Sequence, residues 1–228
     1  MDGKNVETGE NIKAEPTFPL WCVDRLRMAT DGTGVTALVC AFGCPLDCRY
    51  CINPESHSPD GTFTCVTVEE LYKKVRQDGL YYSATGGGIT FGGGEPLLNA
   101  GFIAEFRKRI PADWNVYAET SLAVPRENVL IASGAVAHFM VDVKDMNREI
   151  YGRYTGRPDL YPLMVSNLRL LVEKAGPGRI TARLPLIKNF NTKDDVRASK
   201  EALRSIGIED FDVFVYKTDF EKKKKERK

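Results

Sequence analysis

The stretch GVTALVCAFGCPLDCRYCINPE, Gly34 to Glu55, decides how the rest of the chain is read. Its first half, Val35 to Phe42, is an unbroken apolar run with β-branched residues, the pattern of a strand buried on both faces. Its second half places Cys44, Cys48 and Cys51 on the loop that follows, where Pro45 and Asp47 favour a turned backbone. In parallel α/β sheets, chemistry is built beyond the carboxyl ends of the strands, which is where this loop falls.

Outward from this stretch, strand-like and helix-like segments alternate. Gly88–Phe91, Asn115–Glu119, Ala137–Val143, Arg179–Ile187 and Phe211–Tyr216 read as five further strands. Thr67 with Glu70 forms a capping box that opens a helix to about Asp78. Asn99 starts a second helix to Ile110 with Phe102, Ile103 and Phe106 on one face, and Arg126–Ala132 is a third. Leu163–Lys174, with Leu168, Leu171 and Val172 at core spacing, and Asp194–Ile206 complete the set. Six strands with a helix in each gap predict an α/β fold: six parallel strands, right-handed crossovers, and a partial (β/α)6 barrel open on one side. Residues 1–17 are expected to form a flexible arm, 18–220 one core domain, and 221–228 a basic tail.

The chain has 228 residues, enough for one sizeable core, and 32 basic residues against 31 acidic ones. The tail from Glu221 to Lys228 carries six positive and two negative charges, which leaves the remainder near −3. A body so close to neutral argues against a broad nucleic-acid surface. No window has the apolar length needed to cross a bilayer, and the polar first 16 residues lack the apolar stretch of a signal peptide. A cytoplasmic enzyme-sized domain is expected.

The six cysteines are Cys22, Cys40, Cys44, Cys48, Cys51 and Cys65, all in the first third of the chain. Clustered thiols in a chain expected to stay in a reducing cytoplasm point to metal rather than cross-links. Three thiolates on one short loop can hold three corners of a four-iron, four-sulfur cluster and leave the fourth iron free. The alternative is a structural zinc, which needs a fourth ligand such as Cys40, Cys65 or His57. Spacing alone leaves both open.

A second element favours the cluster. The spacing of Cys44, Cys48 and Cys51, with Tyr50 before the third cysteine, resembles the signature of the radical S-adenosylmethionine (SAM) enzymes. Phe91-Gly92-Gly93-Gly94-Glu95-Pro96-Leu97 after the second strand is similar to their GGEP element, where glycines let backbone approach closely and a carboxylate attracts an ammonium. Further segments resemble the glycyl-radical-enzyme activating enzymes, and most of all the branch that activates pyruvate formate-lyase. These are Thr30-Asp31-Gly32-Thr33-Gly34, Glu119-Thr120-Ser121, Met140 to Asn147 and Tyr154-Thr155-Gly156.

This resemblance implies an oxidoreductase that takes an electron from a flavodoxin or ferredoxin and reductively cleaves SAM to methionine and a 5′-deoxyadenosyl radical. That radical removes hydrogen from a backbone glycine of a partner glycyl radical enzyme. It implies Cys44, Cys48 and Cys51 as iron ligands and Tyr50 near the adenine. Gly93, Gly94 and Glu95 would hold the methionine amino group, with Asp142 and Lys144 on the nucleoside and carboxylate side. Glu119, Thr120, Met140 and Asp142 match a monovalent-cation site, and Arg183 would be a second partner for the carboxylate. A monomer would leave the open barrel side free for a protein loop. Other readings are a radical enzyme acting on a small molecule, peptide or RNA, and a zinc-binding module without catalysis.

Three positions depart from the family pattern. Ile52 stands where a histidine commonly follows the third cysteine, Lys217 replaces a histidine near the last strand, and Leu122 replaces a glycine. Four residues are given no site role: His57 in a polar loop, His138 at the start of an apolar strand, and the packing residues Trp21 and Trp114.

Overall fold

The computed structural model describes residues 15–28 and 30–216. The basic tail, Lys217 and most of the predicted N-terminal arm lie outside the described residues, although the first strand already begins at Thr17. The elements run β1 (Thr17–Arg27), β2 (Thr36–Ala41), β3 (Thr64–Thr67), α1 (Val68–Val75), α2 (Gly79–Thr85), β4 (Gly88–Gly93), α3 (Ala100–Arg109) and β5 (Asn115–Thr120). They continue as α4 (Arg126–Ser133), β6 (His138–Asp142), α5 (Arg148–Thr155), α6 (Tyr161–Ala175), β7 (Ile180–Leu186), α7 (Lys193–Ile206) and β8 (Asp210–Val215). The strands form one sheet in the order β3-β1-β2-β4-β5-β6-β7-β8.

The six predicted strands are β2, β4, β5, β6, β7 and β8, and each pairs in parallel with the next. The two ends of the sheet do not pair with each other, so the barrel is partial. Two strands were not anticipated: β1 and β3 extend the sheet by antiparallel pairing, β1 on β2 and β3 on β1. Both have weak sequence signals for physical reasons. In β1, Pro19 and three charged residues interrupt the apolar pattern, which is tolerated because only Phe18 and Leu20 are buried. β3 has only four residues and sits at the edge.

β2 is buried at all six positions, as a continuous apolar run requires. Helices cover the outer face with the apolar stripes read from their periodicity. Phe102, Ile103 and Phe106 of α3 are buried, and Phe18, Phe91, Phe102 and Phe106 touch ring to ring at 5.2 to 6.3 Å. Each fully buried side chain of this size contributes roughly 1.5–3 kcal/mol. The capping box at Thr67 and Glu70 is formed, worth about 1 kcal/mol by its hydroxyl cap.

Two helices were missed. The helix expected to reach Asp78 breaks there, because the buried Asp78 carboxylate is held by Arg25 of β1 through two bonds of 2.6 and 2.7 Å. α2 then starts at Gly79, where a Cβ would lie 2.3 Å from the Trp114 ring. α5 is capped by the Asn147 side chain, which accepts from the Glu149 and Ile150 amides. Trp114 is buried and donates to Ser83. His138 is half-buried against the Thr181 hydroxyl at 2.8 Å, and burial lowers its pKa. No helix among the described residues is long and apolar enough to cross a membrane.

Candidate functional site

The loop after β2 is shaped by contacts from both directions in the chain. The Gly43 amide donates to the Ser56 carbonyl at 2.7 Å, and the Cys51 amide to the Cys48 carbonyl at 3.1 Å. The last turn of α5 holds the loop on either side of Cys48: Asp47 donates to the Thr155 carbonyl at 2.9 Å and Arg49 to the Tyr154 carbonyl at 3.0 Å. Arg157 adds a bond of 2.8 Å to the Pro45 carbonyl. The loop is therefore pinned before any ligand arrives.

All six cysteines are free thiols, and Cys44, Cys48 and Cys51 line one cavity of about 460 Å³ at the carboxyl ends of the parallel strands. Burial pushes Cys44 up to about 12 and Cys48 up to about 11, and it raises Cys51. The Leu46 and Asn53 amides oppose this for Cys44 and Cys51, and Lys144 opposes it for Cys48 and Cys51. Thiols this reluctant to ionise need a strong cation to take their protons' place. Among the described residues, no three His, Cys, Asp or Glu side chains converge on a single metal ion. Three free thiols around one cavity suit a cluster whose irons occupy separate corners. The proposed fourth ligands for zinc are elsewhere: Cys40 is buried opposite Cys22, Cys65 is exposed on β3, and half-buried His57 has its Nδ1 without a partner. None of them lines the cavity.

The glycine loop after β4 packs directly on the cysteine loop. Gly94 donates to the Ala41 carbonyl at 3.0 Å and Glu95 to the Gly43 carbonyl at 2.8 Å. Gly93 has φ +87°, and a Cβ there would lie 2.7 Å from the Cys40 Cβ; one on Gly94 would lie 2.3 Å from the Gly43 carbonyl oxygen. Only glycine allows this approach. Glu95 is 1% exposed. Its carboxylate accepts from the Thr120 hydroxyl at 2.7 Å, the Ser121 amide at 2.8 Å, the Ser121 hydroxyl at 2.6 Å and the Leu97 amide at 3.2 Å. Burial nevertheless raises its pKa, and no ion pair to it exists among the described residues.

Besides the exposed Asp212, the remaining charges on the cavity wall pair with one another. Arg183 on β7 donates to Glu119 at 2.6 Å and lies 3.3 Å from Asp142, and Lys144 donates to Asp142 at 3.0 Å. Burial disfavours the Asp142 carboxylate, yet Lys144 and Arg183 prevail and lower its pKa. Burial likewise opposes the Lys144 ammonium, and Asp142 with Cys48 raises it. Glu119 is raised by burial despite Arg183. Acid and base alternate in this quartet, so Glu95 is the buried acid left without a counter-cation.

Gly93, Gly94, Glu95, Glu119, Thr120, Asp142, Lys144 and Arg183 all line the cavity with the three cysteines. Tyr50 does not: its ring packs edge-on against Phe190 at 5.8 Å and near Tyr154 at 6.4 Å. Met140 is buried in β6 and does not line the cavity either. Ile52 lines it and is half exposed. Leu122 occupies a left-handed conformation, φ 57°, with its side chain buried, at the position where glycine was the expected residue. Residues given no site role from the sequence also contribute. Ser121 holds Glu95, and Tyr216 donates to the Tyr50 carbonyl at 2.6 Å, tying the end of β8 to the cysteine loop. The place of Tyr216 at the end of the strand read as Phe211–Tyr216 was the available signal.

The profile of the Radical SAM superfamily matches residues 38–202. The isethionate sulfite-lyase activating enzyme of Desulfovibrio desulfuricans is 27% identical over 74% of this chain and 73% of its own length. The pyruvate formate-lyase 2-activating enzyme of Escherichia coli is 28% identical over 78% of this chain and 70% of its own. Among solved structures, a domain of a pyruvate-formate lyase-activating enzyme from Bacteroides vulgatus gives a TM-score of 0.50 at 24% identity, covering 60% of this chain and 89% of that one. Streptococcus suis SuiB bound to the precursor peptide SuiA gives 0.58 at 13% identity, over 79% of this chain and 38% of that one. These two likenesses speak for the fold. With the profile spanning most of the chain and the curated relatives beside it, the chain belongs to the radical SAM superfamily, as an enzyme homologous to the pyruvate formate-lyase activating enzymes.

Proposed function

We propose that this chain activates a glycyl radical enzyme, binding a [4Fe-4S] cluster through Cys44, Cys48 and Cys51 and SAM at the cavity beside it. The observation that carries the reading is the pairing, in one cavity, of three free thiols with a buried carboxylate that lacks a counter-cation. Family membership implies both cofactors, and the donor set fits them. When bound, the cluster supplies one electron that cleaves SAM to methionine and a 5′-deoxyadenosyl radical, and this radical takes hydrogen from a glycine Cα of the partner.

The residues of this chain bind, orient and exclude water. Glu95 meets the methionine ammonium, whose charge replaces the counter-cation missing from the apo site. Gly93 and Gly94 bring backbone close to the same group. Lys144 faces the carboxylate and nucleoside side. The electron would come from a flavodoxin or ferredoxin, and free thiols suit the reducing cytoplasm where those donors work. As a monomer, the enzyme would present the open side of its barrel to the partner's glycine loop.

The monovalent cation at Glu119, Thr120, Met140 and Asp142 needs a different account. The Arg183 guanidinium already lies between Glu119 and Asp142, and an ion there would have to displace it. In our reading Arg183 supplies that positive charge itself. Adding potassium to cation-free enzyme is then expected to leave SAM affinity unchanged within about twofold, while Arg183→Met weakens it about tenfold, near 1.4 kcal/mol. Potassium-dependent binding in the unaltered enzyme would restore the metal site.

Anaerobic purification tests the function as a whole. A brown protein with about four irons per chain is expected. With SAM and a reductant it should release 5′-deoxyadenosine, and with a partner glycyl radical enzyme it should produce a protein radical visible by electron paramagnetic resonance. A colourless protein with one zinc would overturn the proposal.

A further inference from the structure

The donors that hold Glu95 belong to a short segment that is itself held from outside. Thr120 and Ser121, at the end of β5, reach both carboxylate oxygens. Leu122, Ala123 and Val124 follow and are all buried. Leu122 has φ 57°, a conformation that a leucine keeps only where its surroundings impose it. Buried carbonyls need partners. Those of Leu122 and Val124 accept from one side chain, the Nδ2 of Asn167 on α6, at 2.9 and 2.7 Å. Asn167 is fully buried, does not line the cavity, and leaves its own Oδ1 without a hydrogen-bond partner. An orphaned oxygen in a buried amide calls for a reason, and here both amide hydrogens are committed to this one segment.

The amides of the same segment fix the hydroxyls that reach Glu95. Leu122 donates to the Thr120 hydroxyl at 3.0 Å, and Ala123 to the Ser121 hydroxyl at 3.3 Å. A hydroxyl has a single proton to give. In both residues it goes to Glu95, at 2.7 and 2.6 Å. Resting on the ammonium site proposed above for Glu95, we infer that Asn167 is a positioning residue for SAM: by clamping the Leu122 and Val124 carbonyls, it holds Thr120 and Ser121 where both hydroxyls donate to the Glu95 carboxylate. Donors on both oxygens favour the charged form, the one that attracts an ammonium. Without the clamp, two buried carbonyls lose their partners and the segment has to shift.

The test is isothermal titration of full-length, cluster-loaded enzyme with SAM and with the analogue in which hydrogen replaces the methionine amino group. The unaltered enzyme is expected to prefer SAM by about 30-fold or more. In Asn167→Leu, which keeps the bulk and removes both donors, SAM should bind about tenfold more weakly, and the analogue should change by no more than about twofold. Iron content should match the unaltered enzyme. Where the leucine variant does not load iron, Asn167→Ala, which adds no bulk, carries the same expectation. Equal weakening of both ligands overturns the inference, by making Asn167 a general packing residue, and so does unchanged SAM affinity. Loss of iron in both variants overturns it as well, since Asn167 is then required for folding. If the unaltered enzyme binds SAM and the analogue alike, the ammonium site at Glu95 fails instead.

Discussion

Cys48→Ala is expected to strip the protein of iron and with it all SAM cleavage. Iron should drop from about four per chain to near zero, because two thiolates on a short loop do not retain a four-iron cluster. The local structure argues that the effect is chemical rather than a collapse of the loop. The backbone around Cys48 is held by Asp47 and Arg49 bonding to α5, and by Arg157 bonding to Pro45, and none of these bonds uses the thiol. The side chain is partly buried and forms no disulfide, so its loss removes little packing. Cys44→Ala and Cys51→Ala should behave alike. Cys22→Ala and Cys65→Ala, exposed on β1 and β3, should retain full iron and serve as controls. The measurements are iron and sulfide content, visible absorption and 5′-deoxyadenosine release. Full iron in Cys48→Ala would end the ligand assignment and the mechanism built on it.

The parts of this fold that were legible in the sequence are those whose environment is uniform. Val35 to Phe42 reads as a strand because β2 is buried on both faces, and the triplet Cys44, Cys48 and Cys51 is local in the chain. β1 was illegible because a half-exposed strand at the sheet's antiparallel side tolerates Pro19, Asp24, Arg25 and Arg27, which mask its alternation. α2 and α5 are short, at seven and eight residues, and neither opens on a capping box as α1 does. Strand ends gave the site's chemical residue types, but their partnerships are tertiary. That Arg183 neutralises Glu119 and Asp142, and that Thr120 and Ser121 satisfy Glu95, depends on side chains from three neighbouring strands meeting. Tyr50 shows the limit of carrying a role by position: Phe190, 140 residues away in the sequence, gives its ring an aromatic partner outside the cavity. Leu122 shows the converse. It departs from a glycine expectation, yet its φ of 57° retains the left-handed backbone, and burial of the leucine side chain offsets a conformational cost of roughly 1–2 kcal/mol.

Glu95→Gln is expected to weaken SAM binding by about 30- to 1,000-fold, roughly 2–4 kcal/mol, while leaving the iron content intact. The carboxylate is the only buried acid on the cavity wall without a cation among the described residues, because Glu119 and Asp142 are taken by Arg183 and Lys144. An ammonium arriving there gains an ion pair in a desolvated setting without having to break one. Glutamine keeps the shape and loses the charge. It also carries a cost of its own: each carboxylate oxygen accepts from a backbone amide, Leu97 on one and Ser121 on the other, so either orientation of the new amide sets N–H against N–H. A drop in apo-protein stability of about 1–3 kcal/mol should accompany the substitution. The pH profile separates the two effects. Burial raises the Glu95 pKa in the free enzyme, so the protonated form gains ground as pH falls. SAM affinity of the unaltered enzyme should therefore decline on acidification, beginning above the ordinary glutamate range, as the carboxylate takes up its proton. In Glu95→Gln that decline should flatten, whereas a purely structural defect would shift affinity at every pH and keep the slope. Isothermal titration with SAM across pH on cluster-loaded protein reads both quantities. Equal affinity in the variant, or an unchanged pH slope, would remove Glu95 from the ammonium site.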